Sequence, residues 1–181
     1  TLDHANSDTI PKLRLGLDFG FALPWKHSSI WFYNSAGIAD GDRLNTLTNY
    51  YFGGFGNNYV DDGSVKRYRK FYSMPGFEID AISARDFVKS VVEWNLPPVR
   101  FRSVGKPGFF LSWIRPAIFV AGLWTDPRDR FDRTFTSAGF QLDLRFTLGH
   151  RHSMTLSAGY AAGFRKGEKL DDEVMVSLKI L

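Results

Sequence analysis

The chain contains no cysteine in 181 residues, so no disulfide braces it and no thiolate supports a metal site. It also lacks any run of the ~20 apolar residues that a membrane helix requires. The longest candidate, "PAIFVAGLW" at Pro116–Trp124, follows directly on Arg115 and is far too short. The opening "TLDHANSDTIPK" is polar and has no signal-peptide character. Charge of one sign is concentrated only briefly, as in "KRYRK" at Lys66–Lys70 and in Asp171-Asp172-Glu173. The net +4 comes from Lys and Arg that alternate with apolar residues or share loops with Asp and Glu. Without a helical basic face or a stacking motif, no nucleic-acid partner is expected.

The chemistry-bearing residues are as sparse. Of four histidines, His150 and His152 stand at i, i+2 beside a tight turn, and no metal is expected there. Ser153 adjoins His152, but no acid is spaced to orient an imidazole, so no catalytic residue is assigned. "GGFGNN" lacks the Lys-Ser/Thr of a phosphate loop and precedes no helix; no cofactor is implied. Non-catalytic action is expected. Asp61-Asp62 and Asp171-Asp172-Glu173 read as solvated loop acids.

What the chain has in quantity is Phe and Gly, 17 of each, with 5 Trp and 7 Tyr, which favours an all-β protein. Alternation is strict in several stretches. Leu13, Leu15, Leu17, Phe19, Phe21 and Leu23 share one face, with Arg14, Gly16, Asp18, Gly20 and Ala22 on the other. Ala138, Phe140, Leu142, Leu144, Phe146 and Leu148 alternate with Gly139, Gln141, Asp143, Arg145 and Thr147. The same period runs through Met154–Phe164 and Val174–Ile180. Looser strands are expected at about 29–38, 46–52, 81–96 and 108–123. Eight strands result, several at the ~9–11 residues of a tilted membrane strand.

The polar faces hold Gly, Ser, Thr and Ala with isolated charges, where a soluble surface would carry dense Lys and Glu. Trp25, Trp31, Tyr33, Tyr50, Tyr51, Trp94 and Trp124 fall near strand ends, as interface girdles do. Tight turns are expected at one end and charged loops, including "RKGEKLDD", at the other. These features predict an antiparallel transmembrane β-barrel in the bacterial outer membrane, a setting where disulfides are generally absent. The apolar rows would face lipid and lipopolysaccharide; Arg14, Asp18, Lys89, Gln141, Asp143 and Arg145 would face the lumen.

"YYFGGFGNN", "SMPGFEI" and "VVEWNLPP" resemble the barrel of the bacterial surface-antigen superfamily, which includes BamA-type insertases and TamA-type proteins. In that family a "GG" announces a long loop with a "VRGF"-like tip that folds into the lumen. The resemblance implies such a loop at about 53–80, with Gly53, Gly54, Pro75, Gly76 and Phe77 marking it. It also implies that these strands are the C-terminal half of a sixteen-stranded barrel that anchors or passes polypeptide or lipid. Further implied are an upstream half-barrel or periplasmic module and an encounter with the barrel assembly machinery. Pro75 replaces the tip Arg, so Glu93, the acid of the following strand, needs another cation. Arg67, Arg69 or Lys89 is expected to supply it. Two other readings are a self-contained eight-stranded structural protein or lipid-modifying enzyme, and a soluble lipocalin-like carrier.

Overall fold

A computed structural model of the chain describes residues 11–25, 27–40, 46–56, 65–102, 104–128, 132–149 and 152–180. Period-two patterning yields strands throughout. They are β1 (Lys12–Ala22), β2 (Ser29–Ala39), β3 (Tyr50–Phe52), β4 (Ile82–Ala84), β5 (Phe87–Asn95), β6 (Val99–Arg100), β7 (Gly105–Lys106), β8 (Phe109–Thr125), β9 (Arg133–Leu148), β10 (His152–Arg165) and β11 (Glu168–Ile180). Nine form one antiparallel sheet, ordered β1-β2-β5-β8-β9-β10-β11, with β6 and β7 paired to β8. β1 and β11 do not pair with each other, so the sheet is open rather than closed as a barrel.

Three expected elements differ. The 46–52 strand divides into a 3-10 turn at Thr46–Thr48 and the short β3, which pairs only with β4. The 81–96 strand breaks at Arg85-Asp86 into β4 and β5, so seven long strands form the sheet rather than eight. The connection from β2 to β5 therefore runs from 40 to 86, longer than the 53–80 expected. "RKGEKLDD" is not a loop. Arg165 pairs with Glu168 across a Lys166-Gly167 turn, and β11 begins six residues early. Both C-terminal joints are thus tight, and the expected asymmetry of turns and charged loops fails between these strands.

The sheet has two unlike faces. One is bare: Leu15, Leu17, Val88, Val92, Ile118, Val120, Phe140, Leu142, Val174, Val176 and Leu178 are all exposed. The β2–β5 connection folds across the other. Phe52, Phe55, Tyr68, Met74 and Phe77 from that connection pack against Phe87, Val91, Phe119, Leu123, Phe135 and Ala161 of the strands. Tyr68 stacks on Phe119 at 4.1 Å, and Phe77 meets Phe135 edge-on at 5.7 Å. The buried core lies between sheet and loop. Tyr33 and Tyr50 turn toward this covered face, Tyr50 nine-tenths buried, and Trp31 stacks on Tyr33. Tyr51 sits on β3, outside the main sheet; of the girdle set Trp94 and Trp124 stand on the bare face, and Trp25 and Trp31 are exposed.

Candidate functional site: the loop-clamping face

Strand pleating aims Lys89, Val91 and Glu93 of β5 at the loop, and Val88, Val92 and Trp94 away from it. Glu93 is fully buried. A bare carboxylate there would be costly. Arg69 donates to both of its oxygens, Nε at 2.7 Å and Nη2 at 2.6 Å, and Lys66 Nζ donates to Oε1 at 3.0 Å. Lys66 also donates to Asn95 Oδ1. Burial opposes the charge of both cations. It holds Lys66 below the usual lysine range, while the bond and charge of Glu93 outweigh it at Arg69, which stays above its ordinary value. Arg69 lies against the Tyr33 ring as well, at 5.2 Å.

Of the three expected cations, only Arg69 pairs with Glu93. Lys89 instead donates to the carbonyls of Lys70 (2.8 Å), Phe71 (3.0 Å) and Ser73, so a buried ammonium caps three loop acceptors. Arg67 offers its carbonyl to Ser73 Oγ at 2.7 Å and stacks its methylenes on Gly56. Lys66, the second partner of Glu93, was signalled only by membership in "KRYRK".

The Gly-Gly signal and the tip sit together. Gly54 N–H donates to the Phe77 carbonyl at 2.9 Å, and Met74 N–H to Gly54 at 3.0 Å. A Cβ on Gly53 would run into the carbonyl of Glu78, which only glycine avoids. At the tip, Gly76 has φ +85°, and a Cβ there would lie 2.5 Å from Gly163 N on β10. Ser137 Oγ donates to the Pro75 carbonyl. Pro75 thus ends as a backbone acceptor and brings no charge to the tip.

Glu173 completes the clamp. Expected to be solvated, it lies half-buried on β11 and accepts Phe55 N–H and Gly76 N–H, both at 3.1 Å. Its parity matches Met175 and Ser177, a signal hidden by starting the strand at Val174. Gln141 donates to the Val65 carbonyl (3.1 Å) and to Asp143 (2.6 Å), and Ser157 Oγ donates to Asp143 (2.7 Å). Arg14 and Asp18 line a cleft with Arg69 and Lys89 on the same face, although β1 is exposed along its length. Arg14 covers the Phe71 ring at 4.1 Å. Arg145 shares the parity of Asp143 further from the loop and is half-buried. His150 and Asp61-Asp62 lie outside the described residues; His152 is exposed at the start of β10.

The arrangement can hold a folded segment across the sheet, from Arg14 on β1 to Glu173 on β11. No family model, curated protein or solved structure matches the chain.

Proposed function

We propose that this chain forms the C-terminal strands of a surface-antigen-type barrel in the bacterial outer membrane. On this reading the bare face meets lipid and the 40–86 connection plugs the lumen. Its work is non-catalytic: anchoring, or passing polypeptide or lipid. The carrying observation is the chemistry of the bare face. From Ala138 to Leu148 on β9 and from Met154 to Phe164 on β10 the outward rows carry no Lys, Arg, Asp or Glu; on β11 none occurs from Val174 to Ile180, and Asp172, opposite Ala162, ends the charge-free stretch there. Ten strand steps of ~3.4 Å, tilted by ~45°, give an apolar band about 24 Å tall, against the ~25 Å of an outer-membrane barrel. In water so broad an exposed apolar sheet would aggregate.

Two polar side chains in the middle of that face support the reading. Asn34 and Ser90 are bonded to each other at 2.8 Å, and Asn34 donates to the Leu17 carbonyl at 3.4 Å. Paired in this way they demand no water. The unpaired edges of β1 and β11 would be met by upstream strands. A soluble carrier of lipocalin type would line an inner cavity with the Leu and Phe rows, which here lie exposed. A closed eight-stranded barrel would pair the first strand with the last.

Expressed at full length, the protein should remain in carbonate-washed outer membranes and migrate faster on a gel unheated than boiled. Release by carbonate, with migration independent of heating, would overturn the proposal.

A further inference from the structure

Beyond the clamp, toward the β9–β10 turn, the covered face changes character. Register pairs Arg100 with Trp113, Trp113 with Arg145, Arg145 with Thr155 and Thr155 with Lys179. One row across five strands therefore alternates cation and neutral residue. At ~4.8 Å between strands, its cations stand roughly 10 Å apart. Arg115 adds a fourth from the adjacent row, its guanidinium 4.8 Å from the Trp113 ring.

Near the loop, Glu93 is matched by Lys66 and Arg69. Among the described residues Arg100, Arg115 and Arg145 form no ion pair with a carboxylate. The nearest acid in register, Asp143 opposite Arg115, already accepts from Gln141 and Ser157. A cavity of about 630 Å³ opens here, lined by Arg69, Arg100 and Arg115 with Trp31, Tyr33 and one acid, Asp18.

We propose that this arginine belt is a binding site for an acidic, extended polypeptide segment. The inference rests on the barrel reading and names the class of chain that barrel receives. Guanidinium forks match carboxylates in bidentate geometry, and indole and phenol rings supply apolar contact for the intervening methylenes. The belt lies on the face opposite the apolar rows, where a lipid held by its tails would not present its headgroup. The hydroxyls of Thr155 and Ser157 lie in the same rows as Arg145 and Arg115.

The test uses the full-length protein in detergent micelles and fluorescent twelve-residue peptides of Glu or of Ser, read by anisotropy at low salt. The oligo-Glu peptide should bind at least tenfold tighter than oligo-Ser and weaken as salt is raised. Arg100→Gln with Arg145→Gln should lose about tenfold in affinity, and the Arg→Lys pair should retain most of it. Arg115→Gln gives a second, independent reading. Equal binding of both peptides, or unchanged affinity in the Gln variants with heat-dependent migration intact, would overturn the inference and leave the barrel standing. Competition by vesicles of anionic phospholipid at equal charge would replace the peptide with a lipid phosphate and overturn it too. Migration independent of heating in the unsubstituted protein would remove both.

Discussion

The two faces of β9 are built from one stretch of sixteen residues, yet they obey opposite rules. On one side Phe140 and Leu142 lie open and touch little. On the other, Gln141 and Asp143 are buried beneath a folded loop and bonded to it and to β10. A water-soluble sheet inverts this, hiding its apolar rows and wetting its charges. The contrast teaches that burial by this chain's own atoms is reserved for the polar face. The apolar face is left without a cover from this chain, and on the proposed reading hydrocarbon supplies it.

The comparison breaks most sharply at the clamp. Glu93→Gln leaves Lys66 and Arg69 facing a neutral amide, and loss of one partner from a buried ion pair costs about 3–5 kcal/mol. Limited proteolysis should then cut within 65–73 while the strands persist; an unchanged digestion pattern would mean Glu93 does not hold the loop. Next in size is Leu142→Arg, on the bare face. A charge at the middle of a lipid-facing strand costs about 2–4 kcal/mol, measurable as a lower urea midpoint in vesicles. Thr155→Ser, on the covered face of β10, should shift it far less.

A smaller effect sharpens the loop's side of the contrast. Gly76→Ala forces a side chain into a left-handed conformation against β10, at roughly 1–3 kcal/mol. It should loosen the tip, read as faster hydrogen exchange at Phe77 with little change at Glu93. Smallest is Asn34→Ala, which strips Ser90 of its partner on the bare face and, if lipid meets that face, costs about 1 kcal/mol. The same change on a water-exposed face would be neutral.

Much of this contrast was legible in the sequence because pleating obeys a period of two. The parity of Glu93 against Val88, Val92 and Trp94, and of Asp143 against Leu142, is as expected. The Pro75-Gly76-Phe77 tip meets the sheet on its polar side, whereas Gly53 and Gly54 bond within the connection, to Tyr72, Phe77 and Met74. What sequence reading missed depends on tertiary placement. Nothing local distinguishes Lys66 from Arg67 as the partner of Glu93; the 3-10 turn at Arg67–Arg69 decides it by turning Lys66 and Arg69 to one side. Lys89 looked like a counter-ion because its parity is right. The loop brings carbonyls to it instead of a carboxylate. Glu173 was lost because charged residues at a strand's start resemble a turn, whereas they continue the ladder with β10 to Glu168.

The central claim concerns which environment meets each side of β9. These 181 residues hold no cysteine, so spin labels placed singly at positions 138 to 148 of the full-length protein in vesicles, with any cysteine outside these residues changed to serine, give a direct reading. Collision with dissolved oxygen should peak at 140, 142, 144 and 146, and labels at 141 and 143 should be shielded from oxygen. A uniform response along the strand, or higher access of an aqueous nickel reagent at 140 and 142 than at 145, would contradict the account.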